Sequence, residues 1–336
     1  MLRGIPGALV TNSGKVIYLT SYESERGPQL VVWDGPGSVV RRFDAADGLE
    51  PADGELPAMF GVKRMLANGR DVFASYDGPN FMSGLVIINT DDGTWTDVSS
   101  QLPACGELFD DETITCKHFW DADISDDGRW LADSVQYSCS ATDEDCLGSS
   151  TAAFLFDRSG VEQPRRIGDA SRWVRVISMS RDGSRTLVNG DKVEQPFHCR
   201  SFVYERASGA LISIERLPDD TEIPPHPETC AERGEFSPDG ATVAFLAPPE
   251  TGTAATLFLR DLTGETTRVA SLGSVNQAFP LGFGAIPLLV TNGGTYVWFA
   301  ANAFGLKGVP NDGLGEIILS RLPAPYAVVA SVVARD

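Results

Sequence analysis

The stretch "FSPDGATVAFL", residues 236–246, decides how this chain is read. An apolar anchor, Phe236, leads into Ser-Pro-Asp-Gly, and Thr242, Val243, Ala244, Phe245 and Leu246 run on as an apolar strand. Asp239-Gly240 between two such runs signals a hairpin with a tight primed turn, whose two central residues both need φ > 0. One hairpin is silent about architecture, so the informative question is whether it recurs.

The same shape returns at "LVTNSGKVIYL", "RMLANGRDVFA", "DISDDGRWLAD", "ISMSRDGSRTL" and "LLVTNGGTYVWF". The turn glycines Gly14, Gly69, Gly128, Gly183, Gly240 and Gly294 are 55, 59, 55, 57 and 54 residues apart, which fills the 336-residue chain. Four places before each glycine stands an apolar residue: Val10, Met65, Ile124, Met179, Phe236 and Val290. After each hairpin come two more strand-like runs, such as "TLFLRD" and "TTRVAS" joined by Leu262-Thr263-Gly264. Each unit therefore holds four antiparallel strands. Six such units of about 56 residues predict an all-β fold, a six-bladed β-propeller. The expected blades are 5–50, 58–104, 117–170, 172–220, 230–275 and 284–336, within a single domain spanning 1–336.

Ser-Pro-Asp-Gly followed by an apolar strand resembles the repeat of TolB-like propellers. It is also similar to repeats in the propeller domains of prolyl oligopeptidase and dipeptidyl peptidase relatives. Residues 236–270 carry the likeness best, 124–135 and 179–188 less fully, and the other copies in outline. The resemblance implies a six-bladed propeller and an envelope or cell-surface scaffolding role.

In this topology the one–two and three–four turns share one face, and the two–three loops and blade connections share the other. The turns are short ("DDG", "RSG", "LTG"), while the opposite face carries "SSQLPACGELFDDETITCKHFW", "SCSATDEDCLGSS" and "LPDDTEIPPHPETCAERG". Long insertions on one face of a repeat array mark the face that binds. All six cysteines and all three histidines lie in loops of that face, His198 and Cys199 in the equivalent loop of the fourth blade. Their placement predicts Cys105–Cys116, Cys139–Cys146 and Cys199–Cys230, one of fifteen possible pairings, in an oxidising compartment.

Charge narrows the partners. With 46 acidic and 27 basic residues the net charge is −19, which repels phosphate backbones, so no nucleic-acid partner is expected. No apolar run reaches the length of a membrane span, so no direct membrane insertion is expected. "MLRGIPGALV" enters the first strand almost at once and reads as no secretory leader, so export would need a signal beyond this sequence.

Three patterns pair imidazole with sulfur: Cys116-x-His118, His198-Cys199 and His226-x3-Cys230. Oxidised cysteines cannot ligate zinc, so no metal and no cofactor is expected. Five places before the turn glycines stand Arg64, Asp123, Ser178 and Glu235, whose mixed signs suit mutual neutralisation near a channel. Trp120 and Trp173 enter blades three and four at corresponding places, with Phe60 nearby in type, and suit stacking or anchoring of a ligand. "NTDDGTW" at 89–95 resembles the Asp-box of sialidase propellers one residue short, and is read as a turn.

No G-x-S-x-G elbow is present. The leading expectation is a non-catalytic, monomeric, extracytoplasmic module that binds a protein or peptide on its long-loop face. The residues expected there are Phe60, His118, Trp120, Asp121, Asp123, Trp173, Arg175, His226 and Arg233. The alternative is a glycan lyase or hydrolase using His118, His226 and loop carboxylates at the channel mouth, with or without a metal.

Overall fold

A computed structural model describes residues 9–10, 14–19, 29–44, 59–77, 83–110, 114–138, 149–168, 172–192, 200–223, 234–247, 256–270, 286–290, 296–301 and 316–321. The chain forms two compact units, Ile5–Ile167 and Gly168–Asp336.

In the first unit β1 (Leu9–Val10), β2 (Val16–Leu19), β3 (Gln29–Trp33) and β4 (Arg41–Asp44) make one sheet. A second contains β5 (Met59–Met65), β6 (Asp71–Asp77), β7 (Ser83–Asn89) and β8 (Trp95–Asp97). The third holds β9 (Thr115–Ile124), β10 (Trp130–Ser138), β11 (Ser149–Asp157) and β12 (Arg165–Ile167). A short helix, α1 (Cys105–Phe109), precedes the third sheet.

In the second unit the fourth sheet is β13 (Arg172–Met179), β14 (Arg185–Lys192), β15 (Arg200–Glu205) and β16 (Leu211–Ser213). The fifth comprises β17 (Gly234–Phe236), β18 (Thr242–Ala247), β19 (Thr256–Asp261) and β20 (Thr266–Val269). β21 (Ile286–Val290), β22 (Tyr296–Ala301) and β23 (Glu316–Arg321) form the sixth. The rest of the expected sixth blade, 322–336, lies outside the described residues. Every sheet is a meander in which chain neighbours are antiparallel sheet neighbours. The one–two and three–four turns therefore share one end of each sheet.

Burial follows from stacking within each unit. β18 is buried at all six positions, because both of its faces are covered. β16, at a sheet edge, keeps no buried position. Between the first two sheets the core is Ile17, Leu30, Val32, Val62, Val72, Ala74, Val86 and Ile88. Between the second and third it includes Phe73, Leu85, Leu131, Val135, Phe154 and Phe156. In the second unit Leu187, Val203 and Ile214 pack against Phe236, Val243, Phe245 and Phe258.

The hairpin motif resolves into a specific hydrogen-bond set, and it corrects the expected turn type. Gly240 has φ +67°, but Asp239 is not among the non-glycine residues with positive φ. The turn that forms has Pro238 and Asp239 at its centre, where the ring-fixed negative φ of Pro238 suits an unprimed turn. Gly240 N–H donates to Ser237 O (2.8 Å), and Ser237 N–H to Thr242 O (2.8 Å), giving a four-residue loop around an ordinary β-turn. Ser237 Oγ donates to Asp239 Oδ1 (2.6 Å) and accepts Thr242 N–H (2.9 Å), while Asp239 Oδ1 accepts Ala241 N–H (3.1 Å). Ser125–Asp127 and Ser180–Asp182 repeat this set at 2.5 and 2.8 Å. Where serine is replaced by Leu66, Asn68 Oδ1 takes the Asp71 N–H itself (2.9 Å). The degenerate copy keeps the loop by a different acceptor.

The turn end is further cross-tied by cations. Lys15 Nζ donates to Gly69 O (3.0 Å), Arg158 Nη1 to Gly128 O (2.8 Å) and Arg185 Nη1 to Gly240 O (2.7 Å). Residues 89–95 form the turn between β7 and β8, with Gly93 N–H on Asn89 O (2.9 Å). Asp157, whose side chain is fully buried, accepts Arg129 through both oxygens (3.0 and 2.8 Å). Those bonds, with help from Ser159, hold its carboxyl well below the ordinary carboxylate range.

Candidate functional site

The first strand of several sheets is broken by a bulge. Lys63 is extra between Val62 and Arg64, Ile177 between Val176 and Ser178, and Leu288 between Pro287 and Leu289. In the third sheet the irregularity is larger: Phe119, Trp120 and Asp121 together oppose the single residue Ser134. A bulge turns side chains away from the pleat and raises local twist, and such breaks occur beside binding sites. Two of the expected site residues, Trp120 and Asp121, belong to it, and His118 pairs with Val135 directly before it. Opposite lie two fully buried polar residues, Asp133 and Ser134, which the sequence reading passed over. "WLADSVQYS" shows a strand of mixed polarity, and nothing local marks those two as facing a break in the neighbouring strand.

Asp123 lies elsewhere along the strand. It pairs with Ala132 near the turn end of β9 and is 6% exposed. Arg64 grips it through both oxygens, Nε to Oδ1 at 3.0 Å and Nη2 to Oδ2 at 2.6 Å, and reaches Asp126 with Nη1 at 3.1 Å. A bidentate, largely desolvated pair of this kind holds two sheets together. Asp123 is thus separated from His118 and engaged in structure, and the mutual neutralisation expected of Arg64 and Asp123 is what the geometry contains. Asp121 is half-buried.

The long connection from the second to the third sheet is a folded strap. Val98 N–H donates to Leu85 O (2.8 Å) and Leu85 N–H to Ser99 Oγ (2.6 Å), which starts a 3₁₀ turn at Ser99–Gln101. α1 follows, ending in left-handed Asp110 (φ 54°). Cys105 and Cys116 are joined by a disulfide, the first of the three expected pairs. Leu102, Leu108 and Phe109 pack onto the core between the second and third sheets. The Phe109 ring lies 4.5 Å from Tyr137 and meets Phe154 edge-on at 5.4 Å, with the Arg166 guanidinium 5.9 Å from its centre. Glu107 and Asp110 are exposed on the strap. Phe109 and Arg166 were not singled out from sequence, because they are 57 residues apart and only the fold brings them together.

In the second unit Arg175 pairs with Asn189 across β13 and β14, and Asn189 with Ser201 across β14 and β15. Ser201 Oγ bonds Asn189 Oδ1 at 3.0 Å. Glu215, 4% exposed, accepts Ser201 N–H at 2.7 Å and so ends the β15–β16 ladder with a carboxylate. Ile223 N–H returns to Glu215 O (2.9 Å), closing a small hairpin over 215–223. Burial pushes the Glu215 carboxyl above its ordinary value, against the hydrogen bonds from Ser201 and the nearby Arg200.

For Phe60 and Trp173 the structure gives strand positions alone: Phe60 opposite Tyr76, and Trp173 opposite Asp191. His226, Arg233, Cys139, Cys146, Cys199 and Cys230 lie outside the described residues. Among the described residues no group of three His, Cys, Asp or Glu is arranged to hold a metal ion.

At the level of sequence, no family model and no curated protein matches the chain. Solved structures do. A protein assigned as TolB from Agrobacterium tumefaciens is 17% identical with a TM-score of 0.51, over 82% of this chain and 80% of that one. The β-propeller domain of the Trilobed protease from Pyrococcus furiosus is 10% identical with a TM-score of 0.51, over 93% and 80%. A puromycin-hydrolyzing peptidase of Mycobacterium tuberculosis is 14% identical with a TM-score of 0.57, covering 98% of this chain but 44% of that one. The chain also spans 65% of TolB from Acinetobacter baumannii and 50% of a prolyl endopeptidase it aligns with. At such identities the likeness shows the fold alone. That fold is an all-β propeller of the kind found in TolB and in peptidase propeller domains, in keeping with the resemblance carried by Ser237–Gly240.

Proposed function

We propose that the chain is a six-bladed propeller, with blades as assigned from the repeat, acting as a non-catalytic binding module. Its loop-side connections receive a protein or peptide. The observation that carries this reading is the contrast between the two ends of the sheets. The turn end is spent on itself: its serines, aspartates and glycine carbonyls engage one another and neighbouring cations. At the other end the connection from the second to the third sheet is instead a covalently pinned strap with exposed Glu107 and Asp110. A pre-ordered surface loses less entropy on binding than a floppy one.

The disulfide supports an extracytoplasmic setting, since such bonds persist in oxidising compartments. No described helix is long and apolar enough to cross a membrane. The hydrolase or lyase alternative has less support, because Asp123 is committed to Arg64 rather than placed beside His118.

The test uses the full chain on a surface probed with a peptide array. Glu107→Lys on the strap should change the retained peptides at least tenfold in affinity, and Arg70→Glu at the turn end should not. Equal effects from both, or release of new sugar ends when polysaccharides are supplied, would overturn the reading.

A further inference from the structure

We propose that the Cys105–Cys116 disulfide is a reducible latch on the strap that carries α1, and that reduction lets α1 lift from the third sheet and uncovers an aromatic face of Phe109, Tyr137 and Phe154. The strap is fixed at its two ends by independent means. At one end the Val98 and Leu85 backbone bonds hold it to β7. At the other, Cys116 is in register with Tyr137 inside the third sheet. Between them α1 has five residues and no side-chain cap at its start. So short a helix does not hold its shape unaided, since nucleation outweighs the few bonds it gains. Among the described residues it is kept down by the disulfide and by the packing of Leu102, Leu108 and Phe109, all half-buried. Arg166 lies over the Phe109 ring, and an exposed Arg158–Gln101 hydrogen bond (3.2 Å) sits beside it.

Both cysteines are themselves half-buried rather than sealed, so a small thiol can reach the bond. The thiolate of a dithiol reductant attacks one sulfur and the S–S bond breaks. The other cysteine leaves as a thiolate and takes up a proton. The reductant's second thiol then displaces the mixed disulfide, leaving two cysteine thiols and an oxidised, cyclic disulfide reductant. The covalent loop spans a sequence separation of 11, and opening one of that size raises the population of the detached strap on the order of 100-fold. The aromatic face beneath is not made by the disulfide: Tyr137 and Phe154 stand on β10 and β11, which are held by a nine-pair ladder. The strap can therefore move while the sheet stays.

Hydrogen exchange on the full chain tests this in three samples: untreated protein, protein in dithiothreitol, and untreated Cys105→Ser/Cys116→Ser. The double variant isolates this bond from any other effect of dithiothreitol on the chain. Amides of α1 should exchange about 100-fold faster in the second and third samples, with β10 and β11 as protected as before. A naphthalene-sulfonate dye should brighten in step with the uncovered aromatic face. In the oxidised Phe109→Ala protein α1 should stay protected, because the latch still holds. Unchanged α1 protection in the double variant overturns the proposal, as does loss of protection across β10 and β11, which would make the bond a support of the sheet.

Discussion

Ser237→Ala isolates the chemistry of the repeated hairpin. Ser237 is fully buried, and its Oγ accepts Thr242 N–H at 2.9 Å while donating to Asp239 Oδ1 at 2.6 Å. Alanine removes both bonds. Thr242 is 2% exposed, so water does not replace the acceptor its N–H loses, and an orphaned buried donor costs about 1–3 kcal/mol. Asp239 is exposed, rehydrates, and keeps the Ala241 N–H, so it adds little. The expected loss is about 2 kcal/mol, read as a lower urea midpoint at unchanged slope. Thermal scans are a blunter readout: at ~2.1 cal/mol/K per residue, a chain of this length shifts only about 3 °C for that loss. Adding Asp239→Asn should recover part of it, since Asn68 shows that an amide at this place reaches the N–H three residues on. Ser208→Ala, which removes an exposed hydroxyl bonded to Glu205 at 3.3 Å, is the control and should be near neutral. A Ser237→Ala loss below about 0.5 kcal/mol, or one matching Ser208→Ala, would refute the reasoning.

Three further outcomes follow from the geometry. Arg64→Met strands a nearly buried carboxylate at Asp123 and should cost about 3–5 kcal/mol in urea unfolding, with Arg64→Met/Asp123→Ala recovering much of it; additive single losses would show the pair to be idle. Burial raises the Glu215 carboxyl, so its stabilising contribution is complete below the unfolded value of 4.5 and is lost as pH rises through the folded value. Glu215→Gln keeps an acceptor for Ser201 N–H, and should flatten the stability-pH curve above pH 4.5 and match or exceed the parent at pH 7.5; a parent more stable at pH 7.5 than the variant would contradict this. Gly93 has φ +76°, and an added Cβ would sit 2.5 Å from the Phe43 ring. Gly93→Ala should therefore cost about 1–2 kcal/mol from backbone strain alone, with further loss from displacing the ring, measured by the same urea titration.

How much was legible in advance depended on distance along the chain. The Ser-x-Asp-Gly turns were readable because their bonding closes within six residues, so the same letters produce the same loop at 125, 180 and 237. The detail missed there is a β-turn closed by one left-handed glycine rather than a primed turn; Pro238 suits it, and the proline-free copies at 125 and 180 form it too. The candidate site was less legible. Trp120 and Asp121 were singled out by type and place, but their three-to-one bulge against Ser134 reflects a register between strands that no local pattern encodes. Phe109 reads as one loop aromatic among others until Tyr137, Phe154 and Arg166 assemble around it.

By itself, then, the sequence determined the repeat, its period and the antiparallel strand order, because turn chemistry and side-chain alternation act between near neighbours. Only the tertiary structure decided which charges meet. Arg64 and Asp123 occupy equivalent places in successive repeats and could have faced a ligand or each other, and desolvation between packed sheets favours the bidentate pair. It decided equally that Glu215 would be buried against the Ser201 backbone, and that a five-residue helix would be held down by a disulfide and the packing around Phe109.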